Sequence, residues 1–301
     1  MFMRVFLIAA LFAGQAAADW AVDWAVDWAA TPLDPADWPP EIVRESGAPA
    51  SSVTEAGLPD GRVAIGDLDI SAAWYEGPTR RYAHAILGDA IEAGALSVRT
   101  ARGDVLTLDL PVSHVFEDRT PRIADLDGDG RAEVVAIRSA RRAGGGVAVY
   151  GLRDGRLEEV AAIPDIGLSN RWLNIAAIAD LTGDGRREIA FVKTPHIGGT
   201  LRVFAWKDGG LGLLDEMWGF SNHAIGAREM RLSALMETEA GPILAVPSAD
   251  RRALRMVRME AGALRLIAEV ALPVRVDKAM TVEAGGFVVG LSDGSVMRVA
   301  P

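Results

Sequence analysis

The chain has 301 residues, 50% of them apolar, no cysteine, and a formal charge of −10 from 41 acidic and 31 basic side chains. Disulfides, thiol nucleophiles and thiolate metal sites are thereby excluded. No basic block occurs, so the clustered Lys and Arg that a phosphate backbone demands are missing, and nucleic acid is excluded as a partner.

At the N-terminus, Arg4 precedes an apolar run over 5–14 that ends in Gln15-Ala16-Ala17-Ala18. A positive start, a short apolar core and an Ala-x-Ala ending predict a secretory signal over 1–18, cleaved so that the mature chain starts at Asp19. The run falls short of the ~20 residues that cross a bilayer, so no transmembrane segment is expected. The location implied is periplasmic or secreted. Residues 19–41 then repeat Asp-Trp-Ala-Val, and Pro residues crowd the stretch from Pro32 to Pro49. That bias predicts a disordered Trp/Pro-rich leader over 19–60, holding Trp20, Trp24 and Trp28.

From 61 to 301 the pattern is short apolar strands separated by Gly and Asp turns. Segments 94–111, 145–164, 199–217 and 253–273 each read as two strands around a tight turn, with Arg-Asp-Gly and Lys-Asp-Gly closing the second and third. Gly167-Leu168-Ser169-Asn170 returns as Gly219-Phe220-Ser221-Asn222. A period of roughly fifty residues with four strands each points to an all-β propeller. The units fall at about 67–111, 112–164, 165–217 and 218–273. Residues 274–301 supply only three strands, at 278–283, 286–291 and 295–299. A ring must cover its edges, so the strand at 62–66 is expected to pair with 295–299 and complete a fifth blade. An open solenoid is the alternative architecture.

Two segments carry the chemistry. Residues 124–137 read ADLDGDGRAEVVAI, and 179–192 read ADLTGDGRREIAFV. Oxygens fall at positions 1, 3, 5 and 9 of each loop, with a main-chain carbonyl at 7. The first set is Asp125, Asp127, Asp129, the Arg131 carbonyl and Glu133; the second is Asp180, Thr182, Asp184, the Arg186 carbonyl and Glu188. Hard oxygens in that number suit Ca²⁺, which takes six to eight. Position 12 of the first loop is Ala136, inside an apolar β-branched run, so the ion would sit between strands rather than between helices. Asp-Gly also closes ordinary hairpins, as at Asp154-Gly155, but the recurrence of one register ahead of the same kind of strand favours an ion.

On these residues the chain resembles the FG-GAP/VCBS repeat family, the calcium-loop propellers that include the integrin alpha-chain head. The resemblance implies that each acidic loop joins the first two strands of a blade and holds Ca²⁺. Segments 235–241 and 282–286 keep only relics of the loop and the first unit has none, so those blades are expected to be metal-free. The family's Phe-Gly and Gly-Ala-Pro signatures are absent.

No catalytic residues are assigned: there is no Gly-x-Ser-x-Gly elbow and no His-x-x-x-His spacing among the four histidines. Polar and aromatic residues near the start of each unit are expected around one mouth of the propeller axis: Tyr82, His84, Arg119, Arg122, Arg171, Trp172, Asn174, His223, Arg228 and Lys278. They would suit an anionic or sugar ligand, or serve only as solvated connecting loops. The function implied is a monomeric, non-catalytic binding module for a protein or carbohydrate. The alternative is a polysaccharide lyase or hydrolase, which would show a pocket where a titratable pair meets, such as His223 with Glu229 or Tyr82 with His84.

Overall fold

The computed structural model describes residues 27–301, so the expected signal segment and Trp20 and Trp24 lie outside it. The described chain is all-β apart from short helical turns. Strand β1 is Ala29–Pro32. A first four-stranded unit holds β2 (Ala64–Ile65), β3 (Ile70–Thr79), β4 (Glu92–Thr100) and β5 (Val105–Asp109). A linking strand, β6 (His114–Phe116), leads to a second unit of β7 (Arg122–Ala124), β8 (Glu133–Ala140), β9 (Gly144–Arg153) and β10 (Arg156–Ile163). The third unit is β11 (Leu173–Ala179), β12 (Glu188–Lys193), β13 (Thr200–Lys207) and β14 (Gly210–Trp218). The fourth is β15 (Ala234–Met236), β16 (Ile243–Pro247), β17 (Ala253–Glu260) and β18 (Ala263–Ala271). The last three strands are β19 (Val276–Glu283), β20 (Gly286–Leu291) and β21 (Val296–Ala300). Every pairing is antiparallel; β6 pairs with both β4 and β8 and so joins the first two units into one nine-stranded sheet. Repeated four-stranded antiparallel units of this kind are compatible with a propeller.

The sequence dictates this layering. Val134, Val135, Ala136 and Ile137 are all fully buried, because β8 is covered on both faces. Fourth strands such as β18 alternate instead, with one face in water. The apolar clusters lie between successive units. Tyr75 and Phe116 meet Ala136 and Tyr150; Val135 and Ile137 meet Trp172 and Phe191; Val192 and Leu201 meet Leu244 and Val257; Met256 meets Phe287 and Val289. Each interface removes two or more large side chains from water, worth about 1.5–3 kcal/mol apiece.

Two expectations are corrected here. The partner of the last strand is Ala29–Pro32, in register from Ala29↔Ala300 to Pro32↔Met297, whereas the strand at 62–66 gives Ala64 and Ile65 to β3. The reason is apolar anchoring: Trp28 stacks on Phe287 with ring centroids 6.0 Å apart, and Ala30 packs on the same cluster. The leader over 19–60 is likewise structured from β1 onward. Leu33, Trp38 and Ile42, the last on helix α1 (Pro40–Val43), cover Ala279, Val288 and Val296. Ala50, Val53 and Val63 cover Ala72 and Trp74. The N-terminal segment thus shields faces of the last and first sheets, and the Pro bias supplies its turns rather than disorder.

Candidate functional site

The 125–133 loop joins β7 to β8. Gly128 and Gly130 have φ of +77° and +81°, a region that side chains with a Cβ avoid, and this lets the loop fold back on Asp125. Asp125 accepts the amides of Gly128 (2.7 Å) and Gly130 (3.0 Å) through its two oxygens. Glu133, fully buried at the start of β8, accepts the Leu126 amide at 3.1 Å through Oε2. Among the described residues its Oε1 has no hydrogen-bond partner, and the nearest cation, Arg153 Nη2, is 3.9 Å away. Burial, reinforced by Asp127 and Asp129, pushes the Glu133 carboxyl up to about 7. Ligand oxygens of Asp125, Asp127 and Glu133 lie within 4.8 Å of one another. An orphaned buried oxygen facing two more carboxylates is a geometry that a hard cation would satisfy, so these residues fit Ca²⁺. Asp129 stands apart from that trio and accepts the Arg131 amide at 2.8 Å. Asp69, which sequence reasoning missed, ties the loop to the first unit: it accepts the Ala132 amide at 2.7 Å and pairs with Arg131 at 3.4 Å.

The 180–188 loop repeats the turn but not the orphan. Asp180 accepts the amides of Gly183, Asp184 and Gly185. Asp184 accepts the Arg186 amide at 2.9 Å. Glu188 Oε2 accepts from Leu181 (2.8 Å) and Thr182 (3.1 Å), and Oε1 lies 3.4 Å from the Thr182 hydroxyl. Thr182 therefore removes a carboxylate and also partly satisfies the buried Glu188. Burial raises the Glu188 carboxyl as well.

The residues expected at one mouth divide. His84, Arg171 and Trp172 line a cavity of about 310 Å³ together with Asn170, Thr194, His196, Ile197 and Ile225. Trp172 is buried, donates to the Glu117 carbonyl at 2.9 Å, and is covered by the parallel ring of His196 at 6.1 Å and the inclined ring of His223 at 4.7 Å. His223 Nε2 lies 2.9 Å from the Ala227 carbonyl, which can only accept, so that nitrogen carries the proton. His223 Nδ1 then accepts from His196 Nε2 at 2.9 Å, leaving His196 Nδ1 as a bare acceptor. Burial holds His223 down to about 3 and His196 down to about 4, consistent with two neutral rings. Tyr82 meets His84 edge to face at 6.0 Å, but its buried hydroxyl has no hydrogen-bond partner among the described residues.

The remaining expected residues lie elsewhere. Arg119 is buried among Asp60, Glu45 and the Arg228 carbonyl, and Arg228 pairs with Asp89. Asn174 is buried and exchanges amide-to-carbonyl bonds with Asn222. Arg122 pairs with the buried Asp118 and lines a separate cavity of about 480 Å³ beside β7 and β11. Lys278 lies 3.8 Å from Asp277. The pair that sequence reasoning missed is His84 with Glu117: Nδ1 is 2.6 Å from Oε1, while Ser139 donates to Oε2 at 2.5 Å. His223 and Glu229 have different partners, Glu229 being chelated by Arg231.

Residues 125–191 match the family model of the FG-GAP-like repeat. No curated protein matches the chain.

Proposed function

We propose that this chain, with its FG-GAP-like repeat, is an exported, calcium-stabilised β-propeller of five blades that acts as a non-catalytic binding module for a protein or carbohydrate. The fifth blade is β19, β20, β21 and β1. The observation that carries the reading is the buried, unpartnered Glu133 Oε1 beside Asp125 and Asp127, in a loop whose register recurs at 180–188. Like charges held together there oppose folding until a cation binds. A ligand that binds only the folded state stabilises by roughly 2.7 kcal/mol at 100-fold excess over its dissociation constant. Export is supported by the Ala16-Ala17-Ala18 ending.

The test is a set of melting curves with calcium and with chelator on wild type, Asp125→Asn and Asp180→Asn, the two equivalent first positions. Calcium should raise the wild-type Tm, and Asp125→Asn should lose more of that gain than Asp180→Asn. If chelator moves none of the three curves, the acidic loops are turns and the reading fails. The hydrolase or lyase alternative has one geometric feature in its favour, the His84–Glu117 pair beside a cavity. Turnover of a polysaccharide abolished by His84→Ala would establish it instead.

A further inference from the structure

The cavity beside Trp172 differs from the rest of this acidic protein. Among the described residues none that lines it is Asp or Glu, although acidic side chains outnumber basic ones over the chain by 41 to 31. Its wall includes Ile197 and Ile225, which are 60% and 73% exposed. Two branched aliphatic side chains held in water at the lip of a concavity leave apolar surface that only a partner would cover.

The ground around the cavity is cationic. Arg171 lines it, and among the described residues its guanidinium bonds only the neighbouring Asn170 carbonyl. The loop carrying Arg141 and Arg142 is fastened beside it: the Gly145 amide donates to the Arg171 carbonyl at 2.7 Å, and Ser169 donates to the Arg141 carbonyl at 3.1 Å. The Arg141 guanidinium bonds, among the described residues, only a carbonyl, that of Arg81. Arg142 is exposed with no ion pair among the described residues. These guanidinium groups hold no carboxylate among the described residues, in contrast with Arg119, paired with Glu45 and Asp60, and Arg231, chelated by Glu229.

The aromatic element argues against a sugar. Pyranose faces stack on open rings, and Trp172 is 2% exposed beneath His196. The free contact surface is aliphatic and cationic. We infer that this face binds an acidic peptide segment, with an apolar side chain seated between Ile197 and Ile225 and flanking carboxylates on Arg171 and Arg142. The inference rests on the binding-module reading above and names its partner. Unpaired guanidinium groups supply bidentate partners for carboxylates and steer an acidic segment inward, while the aliphatic seat supplies the desolvated centre of the contact.

The test is selection of a random dodecapeptide phage library on the calcium-loaded full chain, followed by titration of the enriched peptides. The panel is wild type, Ile225→Asp, Arg171→Glu with Arg142→Glu, and the control Lys207→Glu on the β13–β14 turn. All substituted side chains but Arg171 are exposed, and unchanged melting of each variant is checked first. Peptides pairing Asp or Glu with a large apolar residue should be enriched. Their affinity should fall at least tenfold in both cavity variants, weaken with salt, and stay level in the control. Enriched peptides that bind all four proteins alike overturn this face as the site while leaving the binding-module reading standing. Failure to enrich any acidic–apolar motif overturns the inference too. An oligogalacturonate that binds wild type and is lost in the same variants would assign the face to an anionic sugar, also overturning it.

Discussion

Glu92 offers the sharpest quantitative prediction. It lies at the first position of β4, 2% exposed. Burial, followed by the negative fields of Glu117, Asp89, Asp60 and Asp118, pushes its carboxyl up to about 9 from an ordinary 4.5. A carboxyl whose folded value is raised contributes stability that is fully present below the unfolded value and is lost as pH rises through the folded one. Folding at pH 7 therefore requires proton uptake against about 2.5 units. At about 1.36 kcal/mol per unit this costs on the order of 3 kcal/mol. Glu92→Gln is nearly isosteric with the neutral acid and needs no proton. It should raise stability by about 3 kcal/mol at pH 7, or about 5 °C in Tm. Below about pH 4 it should change little, and the gap should open steadily between 4.5 and 9. Urea unfolding of both proteins at several pH values provides the curve. A wild-type-minus-variant difference that stays flat with pH would refute the reasoning, because it would mean that Glu92 is ionised in the fold.

Three further outcomes are expected. His196 and His223 are held below their ordinary value of 6.5, so the stability they favour is present above that pH and lost as pH falls toward about 4 and 3. Wild type should therefore weaken in urea between pH 6.5 and 4, and a His196→Gln, His223→Gln double variant should show a shallower decline. Trp172→Phe removes the buried N–H that satisfies the Glu117 carbonyl; it should cost about 1–3 kcal/mol in denaturant unfolding. Deletion through Pro32 strips β21 of β1 and leaves it paired on one side only, with β20. It should lower the Tm and promote aggregation relative to deletion of residues 1–26, and equal melting of the two truncations would refute the pairing.

What the sequence made legible was local. Asp154-Gly155 and Asp208-Gly209 form hairpin turns in which all four residues take positive φ, as such dipeptides favour. The run from Val134 to Ile137 announced a strand covered on both faces. The acidic loops also formed where the spacing placed them, because Asp125 and Asp180 draw in amides only three to five residues away. Long-range choices were not legible. Ala29–Pro32 is Ala-rich with no strand signature, and its place is set by Trp28 reaching Phe287, a contact that no local pattern records. The His84–Glu117 pair is equally non-local. Its only trace in sequence was two adjacent acidic residues, Glu117 and Asp118, directly after the apolar Val115-Phe116, a polar pair that burial would force to find partners.

The two sites stand at opposite ends of one strand. Trp172 precedes β11 and Asp180 follows it, and seven extended residues span about 23 Å at ~3.3 Å each. At that distance exposed charges are screened in physiological salt. Calcium at the acidic loops would therefore act on the cationic face through the fold rather than through its field. Strand β8 makes the connection concrete: Glu133 opens it, and Arg141 follows its last residue, Ala140. A cation that fixes Glu133 would hold the same strand that presents Arg141 and Arg142. Asp69 would brace it from the first unit through the Ala132 amide. On this arrangement calcium-loaded acidic loops would give the face its rigidity and the face would make the contact. One strand couples them, because neither end of β8 can shift without disturbing its ladder to β9.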